Sequence, residues 1–383
     1  MEIDKNKISF GLSFDDVLLT PGYADFIRED IDISTRLTKK IFLKAPFVSS
    51  PMDTVTDGNF AIALAKIGGI GIIHRNLKIK DQVLEVKKVK VAGYIASAAT
   101  GTREGYQDRV KALVEAGVDV ICLDSAHGFT NQMVTAVKYI KKNFPNLEVI
   151  AGNVATYDGA LALAKAGVDA IRVGMGPGAI CTTRIISGMG VPQLTAIAET
   201  ARAAKKYNVP IIADGGIRYS GDMVKAFAAG ASTIMMGSFF AACTEAPGEV
   251  VMLSTEQVPH RFKSIVRDEK ATYTFKSYRA MGSIGAMKEG AKISSEDEFH
   301  GKSFKDNILI AEGVESLVPM KGSLKDVCDQ AIGGIHSGMY YIGAKTIPEL
   351  QKKAKFIRIT SASLHESHPH DVFITNPGEN YSQ

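Results

Sequence analysis

Eight short apolar segments recur along residues 45–240, and helical patterns separate most of them. Several of the segments are hydrophobic almost throughout, which is typical of parallel strands that are covered on both faces. Eight strand-and-helix units of this size predict a (β/α)8 TIM barrel, an α/β fold whose usual length is about 250 residues. The predicted strands are residues 45–50, 69–74, 93–99, 118–124, 148–154, 170–174, 210–214 and 233–237.

Helical periodicity fills the gaps between these strands. The repeated segment AGVD, at 116–119 and 166–169, places a glycine where a helix would stop and a strand would begin. A doubly wound parallel sheet is the alternative fold, but it requires a reversal of strand order that the sequence does not locate. The predicted helices are residues 105–116, 131–143, 157–166, 196–207 and 221–229.

The composition is that of a globular chain with a large core, since 45% of the 383 residues are hydrophobic and 22% are charged. The net charge of +4 is small and the lysines are scattered, which argues against a nucleic-acid partner. No apolar run approaches the roughly 20 residues of a membrane span, and the first residues lack a signal-peptide core. The four cysteines have no metal-type spacing, so we expect a cytoplasmic protein.

We expect residues 1–383 to form a single catalytic domain, in which a flap and a C-terminal extension at about 249–383 follow the barrel. Residues 249–275 are polar and irregular in pattern. Residues 291–307 are charged and rich in serine, which is typical of a mobile flap or an ordered surface loop. Apolar patterning returns at residues 308–342.

Polar or glycine-rich sequences follow nearly every predicted strand. The active sites of TIM barrels lie at the C-terminal ends of the strands, so these sequences are expected to meet at one site. They are SPMD at 50–53, HRN at 74–76, DSAH at 124–127, GN at 152–153, GMGPGAICTTR at 174–184, DGG at 214–216 and GS at 237–238.

The segment 174–184 carries the strongest chemical signal. Its three glycines allow tight turns that bring backbone N–H groups close to a ligand anion. Cys181 in such a loop is suited to act as a nucleophile, because backbone dipoles stabilise a thiolate. Together these features suggest covalent catalysis on a phosphorylated substrate, and a glycine-rich turn with a buried cysteine is the alternative.

The loops after the seventh and eighth strands of a barrel often bind phosphate. The backbone of Gly216 and Gly237 and the hydroxyl of Ser238 are therefore candidates for a phosphate cradle. Asp214 would repel phosphate and is better suited to paired ribose hydroxyls; a helix N-cap is its alternative role.

A cysteine that attacks a nucleotide base forms an adduct that can expel hydride to a nicotinamide. Asp124, Ser125 and Asn153 follow adjacent strands and are candidates to hold that second ligand. The chain has no GxGxxG fingerprint, so a dinucleotide would lie in an extended groove across the barrel mouth. The remaining cysteines are expected to be buried packing residues: Cys122, Cys243 and Cys328.

The chain resembles the IMP dehydrogenase and GMP reductase family nearly from end to end. The matching segments are GLSFDDVLL at 11–19, SSPMDTVT at 49–56, GGIGIIH at 68–74, the segment 174–184 (hereafter the cysteine loop), IADGGIRYSGD at 212–222, YRAMGS at 278–283, EGV at 312–314 and SHPHD at 367–371. The resemblance implies a (β/α)8 barrel, usually a homotetramer, that oxidises IMP to XMP with NAD+ in guanine nucleotide biosynthesis and is assisted by K+.

The same resemblance implies a role for each matching residue. Cys181 matches the nucleophile that attacks C2 of the purine, and Thr183 and Glu312 match a proton relay. The implied substrate contacts are Ser50, Asp214, Gly216, Gly237, Ser238, Tyr278, Met281, Gly282 and Glu312. The implied nicotinamide contacts are Asp124, Ser125, Asn153, Arg172 and Gly174. The backbone carbonyls of Gly176, Gly178 and Cys181 match half of a K+ site that a neighbouring subunit's tail completes.

Four departures from the family pattern matter for function. The paired regulatory domains that most IMP dehydrogenases carry after the second strand are absent near 91–93. Ala179 stands where the family usually has a serine that contacts the phosphate. The Arg-Tyr pair that activates the hydrolytic water in the family is missing from SSEDEFH at 294–300, where carboxylates or His300 stand instead. The connector at 249–277, which contains Arg261 and Arg267, is longer than usual.

Because of the missing Arg-Tyr pair, the sister reaction stays open at this point. GMP reductase converts GMP and NADPH to IMP and ammonia through the same cysteine adduct, and it needs no hydrolytic arginine. The segments 278–283, 337–341 and 367–371 favour the dehydrogenase. A nucleotide-binding paralogue with impaired turnover is the third interpretation.

Overall fold

Eight parallel strands close into a barrel in the computed structural model, which describes residues 8–266, 268, 270–297, 309–372, 374, 375, 378 and 381. Each strand pairs with the next one along the chain, and the last strand pairs with the first through Met236 and Ser49. The predicted TIM barrel is confirmed, and the closed strand order excludes a doubly wound sheet. The strands are β1 (Phe47–Ser49), β2 (Ile70–Ile73), β3 (Ser97–Thr100), β4 (Val120–Asp124), β5 (Glu148–Val154), β6 (Ala170–Val173), β7 (Ile211–Asp214) and β8 (Thr233–Met236).

Local sequence explains where the barrel helices begin and end. The side chains of Thr130 and Thr156 accept backbone N–H groups at two helix starts, and Gly68 and Gly167 end two helices in the left-handed conformation. The helices from the first strand to the last are α1 (Gly58–Ile67), α2 (Ile79–Val91), α3 (Tyr106–Glu115), α4 (Asn131–Asn143), α5 (Tyr157–Ala166), α6 (Thr183–Ser187), α7 (Gln193–Ala204), α8 (Ser220–Ala228) and α9 (Ser238–Ala241).

The predicted strands and helices agree with the structure except at a few ends. The strand predicted at 93–99 begins only at Ser97, because Gly93 has a φ of +82° and closes the turn after α2. Residues 92–96 alone connect α2 to β3. The helix predicted at 196–207 begins earlier, at Gln193, and its last three residues form a 3-10 turn.

The inside of the barrel is a separate apolar cluster that supports the mouth. Val48, Ile150 and Met235 belong to it, and so do Leu37 and Leu43 from the hairpin that leads into β1. The hairpin lies at the N-terminal end of the strands, where the Lys40 N–H donates to the Glu148 carboxylate at 3.3 Å. This end is therefore packed, and chemistry is left to the opposite end.

The prediction that residues 249–275 are irregular is wrong, since a three-stranded antiparallel sheet begins there. Its first strand alternates only between exposed and half-buried positions, so its hydrophobic pattern is weak. Part of the predicted flap at 291–307 is helical, and residues 298–308, with His300, lie outside the described residues. Arg267 lies outside them as well. The new elements are β9 (Val250–Ser254), β10 (Thr272–Arg279), α10 (Ile284–Asp297) and β11 (Glu315–Pro319).

The C-terminal part completes the outer ring of helices. The helix α11 (Leu324–Ile342) packs against α8 and α1 and so takes the eighth helix position. Two shorter helices follow, α12 (Ile347–Lys353) and α13 (Ser361–Glu366). The strand Phe356–Arg358 pairs antiparallel with Val17–Leu19, which joins the two ends of the chain. None of the helices in the described residues is long and apolar enough to cross a lipid bilayer.

Candidate active site

One cavity of about 350 Å³ opens at the C-terminal ends of the barrel strands. This volume is within the range of small-molecule sites, about 300–1,000 Å³. Every site residue predicted from the sequence lines this cavity, including all those named for catalysis, substrate, nicotinamide and cation. The residues predicted from the sequence therefore lie together around one cavity, at one end of the barrel.

Cys181 begins a short hydrogen-bonded chain of polar groups. Its Sγ lies 3.3 Å from Thr183 Oγ1, and that hydroxyl donates to Glu312 Oε2 at 2.8 Å. Thr183 and Glu312 are 129 residues apart in the sequence. The thiol is partly exposed to the cavity, so this chain can move a proton between the reacting sulfur, a nearby water and a carboxylate.

Backbone hydrogen bonds hold the cysteine loop against residues 312–314. The Thr182 N–H donates to Glu312 O at 3.1 Å, and the Val314 N–H donates to Ile180 O at 3.0 Å. The Glu312 N–H in turn donates to Gly282 O at 3.1 Å. These bonds explain how a loop after β6 and a segment after the flap come to form one wall of the site.

Arg184 braces the same loop from outside the cavity. Its Nε donates to Met175 O at 3.1 Å, and its Nη2 donates to Val191 O at 2.7 Å. The aliphatic part of the Arg184 side chain packs on Gly176, where an added Cβ would come within 2.5 Å of Arg184 Cγ. Gly176 also has a φ of +75°, so both space and backbone conformation require glycine at this position.

The other three cysteines are buried, as the sequence predicts. Burial raises the pKa of the Cys122 thiol to about 12, and it raises the pKa of the Cys328 thiol to about 12 as well. Burial also raises the pKa of the Cys243 thiol. Cys181 is thus the cysteine with the access that a nucleophile needs.

Arg172 is a buried cation between two carboxylates at the floor of the cavity. Its Nε donates to Asp214 Oδ2 at 2.9 Å, and its Nη1 donates to Asp124 Oδ1. Burial alone would raise the pKa of Asp124, but the charges of Arg172 and Arg75 outweigh it and hold that pKa below its ordinary value. The Asn153 amide also donates to Asp214 Oδ2, at 2.8 Å.

This network joins residues that the sequence analysis assigned to two different ligands. Asp214 was predicted to contact ribose, and Arg172 and Asn153 were predicted to contact nicotinamide. The structure joins the three directly, because their side chains enter the barrel from neighbouring strands. The alternative role of Asp214 as a helix N-cap is excluded, since Tyr219 occupies the N-cap position of α8.

The predicted phosphate cradle lies beside a buried tyrosine. A Cβ at Gly237 would come within 2.6 Å of the Tyr278 hydroxyl, so glycine is required for this close approach. Burial raises the pKa of Tyr278, which therefore keeps its phenolic proton as a hydrogen-bond donor. Gly216 has a φ of +79°, and Ser238 begins the short helix α9.

Several residues of the lining were not predicted individually. Met52 and Arg75 line the cavity, and Met52 Sδ lies 4.0 Å from the Tyr278 hydroxyl. Both residues belong to strand-end segments that the sequence analysis marked, so the signal was present at the level of the segment. What the sequence lacked was the direction in which each side chain points.

The model of the IMP dehydrogenase / GMP reductase domain matches residues 11–370. The chain belongs to this family. The match covers the barrel, the antiparallel sheet and the segment that carries Glu312.

Three relatives from distant organisms bear the name inosine-5'-monophosphate dehydrogenase. The Aquifex aeolicus protein is 40% identical, with 100% of this chain and 99% of the relative covered. The Cryptosporidium parvum protein is 41% identical, with 98% and 99% covered, and the Borreliella burgdorferi protein is 40% identical, with 96% and 99% covered. The Aquifex alignment spans 509 positions against 383 residues here, so at least 126 of its positions are gaps in this chain.

The family's cation site can be tested against the loop. The three expected ligands are backbone carbonyls, which are hard oxygen donors that suit K+. Gly178 O already accepts the Cys181 N–H at 3.1 Å, and a carbonyl keeps a second lone pair for an ion. Within the described residues, no group of three or more His, Cys, Asp or Glu side chains could hold a metal ion. The carbonyls of Gly176, Gly178 and Cys181 therefore remain the candidate ligands for the predicted K+.

Proposed function

We propose that this protein is an NAD-dependent IMP dehydrogenase that converts IMP to XMP through an adduct on Cys181. The observation that carries the proposal is the hydrogen-bonded chain Cys181–Thr183–Glu312. It faces a cavity that also contains the groups expected to bind phosphate and ribose. The curated relatives described above support the direction of the reaction, since each bears the dehydrogenase name.

Each wall of the cavity has a task in this proposal. Gly216, Gly237, Ser238 and Tyr278 bind the phosphate of IMP, and Ser50, Asp214, Met281 and Gly282 position the ribose and base. Cys181 then loses its thiol proton to solvent, its Sγ bonds to C2 of the purine, and C2 loses its hydride to the nicotinamide of NAD+. Water hydrolyses the resulting thioimidate, which releases XMP and restores the thiol.

Thr183 and Glu312 move the proton of the hydrolytic water in this proposal. The Arg-Tyr pair used elsewhere in the family is absent from residues 294–300. The hydroxyl–carboxylate contact of 2.8 Å, which begins 3.3 Å from Cys181 Sγ, supplies a base close to the sulfur that would bear the thioimidate. The chain thus retains a route for hydrolysis that does not require the flap arginine.

NAD+ supplies the hydride acceptor, and Asp124, Ser125, Asn153, Arg172 and Gly174 would hold its nicotinamide riboside. K+ would bind the carbonyls of Gly176, Gly178 and Cys181 and hold the loop in its reactive shape. We also propose a homotetramer, a single catalytic domain without the regulatory insert, and a cytoplasmic location; the four free thiols are consistent with a reducing compartment.

A paired turnover assay tests this function. One arm contains IMP, NAD+ and K+ and follows NADH and XMP, and the other contains GMP and NADPH and follows NADPH loss and IMP. Catalytic NADH with XMP supports the dehydrogenase. NADPH consumption with GMP would reassign the chain to the reductase. A single stoichiometric burst of NADH without XMP release would identify a paralogue that cannot hydrolyse the adduct.

Glu312→Gln is expected to slow adduct hydrolysis more than hydride transfer. The amide keeps a hydrogen bond to Thr183 but cannot accept the proton, and a positioned acid or base contributes about 10²–10⁴-fold. Stopped-flow should therefore show a rapid NADH burst followed by slow turnover. Glu199→Gln, an exposed substitution on α7, is the matched control. Equal slowing of both phases would contradict the relay.

K+ is expected to raise the steady-state rate above that in Na+. The carbonyls of Gly176 and Gly178 belong to one tight turn, in which Gly176 has a φ of +75°, and cation sites discriminate between ions by cavity size and ligand number. Rates measured at constant ionic strength in KCl, NaCl and tetramethylammonium chloride check this. Identical rates in all three salts would mean that this loop holds its shape without a bound cation.

A further inference from the structure

Among the described residues, two cationic side chains line the cavity, Arg75 and Arg172. They differ in burial and in their ion-pair partners. The side chain of Arg172 is 10% exposed and is occupied by two carboxylates. The side chain of Arg75 is 44% exposed. Its single described polar contact is a long one, from Nε to Asp124 Oδ2 at 3.4 Å. Arg75 therefore brings a guanidinium to the mouth whose terminal nitrogens are available to a ligand.

The position of Arg75 also differs from that of the catalytic groups. Arg75 follows β2, whereas Asp124 ends β4 and Cys181 follows β6. Since the strands are ordered around the barrel as they are along the chain, a path from Cys181 past Asp124 continues toward Arg75. A ligand with one end beside Cys181 and Asp124 would extend in this direction.

Little among the described residues occupies the guanidinium of Arg75. Gly101, just after β3, lies next to the guanidinium, and a Cβ added there would be 3.5 Å from Nη1. Asp124 already has the buried charge of Arg172 as its partner, so Arg75 is not needed to neutralise it. The weak 3.4 Å contact holds the guanidinium at the mouth without occupying its outer edge.

We propose that Arg75 binds the diphosphate of the dinucleotide and so sets the affinity for that ligand. Arginine presents a planar set of donors that matches phosphate oxygens, and such charge-assisted bonds are stronger than neutral ones. The chain has no GxGxxG loop to provide backbone donors for a diphosphate, so a side chain must do so. The inference rests on the proposed function for the identity of the dinucleotide.

Arg75→Gln tests the proposal by ligand binding. Calorimetry with ADP and with NAD+ should show dissociation constants about tenfold to a hundredfold higher than in the wild type, the range for one lost charge-assisted bond. Binding of IMP, and of nicotinamide riboside as a probe without phosphate, should stay within about twofold. The wild-type affinity for ADP should fall as salt increases, and the variant should lose most of that dependence.

Two control variants make the result specific. Arg75→Lys keeps the charge and should recover part of the affinity for ADP. Arg103→Gln removes an exposed arginine from the next strand-to-helix loop, outside the cavity lining, and should change nothing. Unchanged affinity of Arg75→Gln for ADP and NAD+ would overturn the proposal. An equal loss for nicotinamide riboside would also overturn it, because Arg75 would then act through Asp124.

The test is separate from the test of the overall reaction. ADP binding requires neither IMP nor turnover, so a protein that fails to form XMP can still show the Arg75 effect. Conversely, a protein that forms XMP normally but binds ADP without Arg75 retains the proposed function and refutes this inference.

Discussion

Replacement of Cys181 with alanine is expected to lower kcat by about four to six orders of magnitude, the effect of removing a nucleophile that works as part of a unit. The substitution removes the atom that bonds to the base and leaves Thr183 and Glu312 without a reaction to assist. IMP affinity should stay within about threefold, because the groups expected to bind its phosphate and ribose follow other strands. Steady-state NADH formation measures the first effect, and calorimetry with IMP measures the second.

Cys328→Ala is the matched control, since it makes the same substitution at a buried cysteine on α11 that does not line the cavity. Its kcat should equal that of the wild type. Iodoacetamide should inactivate the wild type by modifying Cys181, and IMP should protect against it. Substantial turnover by Cys181→Ala would contradict covalent catalysis and would require a different nucleophile.

Arg172→Met is expected to destabilise the fold by about 3–5 kcal/mol, because removal of one partner leaves buried charge uncompensated. Arg172 is paired with both Asp124 and Asp214, and the side chains of the two aspartates are only 16% and 14% exposed. Methionine fills a similar volume but offers no donor to either carboxylate. Activity should also be lost, since Asp214, which accepts from both Asn153 and Arg172, loses its ion-pair partner. Urea denaturation with fluorescence detection measures the loss of stability.

The loss of stability in Arg172→Met should depend on pH in a defined direction. In the wild type the pKa of Asp124 is lowered, so its stabilising effect is present above the unfolded value and is lost as pH falls through the lowered pKa. In the variant only the long contact to Arg75 is left, so burial is expected to dominate and raise that pKa, and stability is then lost as pH rises through it. The gap between the two proteins should therefore widen from about pH 4 to about pH 8.

Arg218→Met is the matched control for the stability measurement. Arg218 pairs with Asp15 at the surface, where the two side chains are 54% and 38% exposed, and such pairs contribute about 0–1 kcal/mol. Combining Arg172→Met with Asp124→Asn should recover part of the lost stability by removing one unpaired charge. A gap between wild type and Arg172→Met that does not change with pH would contradict the assignment of buried charge.

The barrel was predictable because the local sequence of each strand-and-helix unit indicates its conformation. Residues 148–154, 131–143 and 157–166 have the same limits in the prediction and in the structure, since buried strands and capped helices leave clear patterns. Strand β9 was missed because its residues are only half-buried or exposed and alternate weakly. Its conformation depends on pairing with β10, which the local sequence does not encode.

The sequence alone determined the kind of fold, and it predicted the end of the barrel that carries the chemistry and Cys181 as the nucleophile. It could do so because hydrophobic periodicity and a glycine-rich loop with one cysteine are local properties. Tertiary structure decided which groups act together. Thr183 meets Glu312 across 129 residues, and Arg172 joins Asp124 to Asp214. The contacts of Arg172 arise because parallel strands bring their C-terminal ends to one mouth, and the Thr183–Glu312 contact arises because backbone hydrogen bonds join the cysteine loop to residues 312–314.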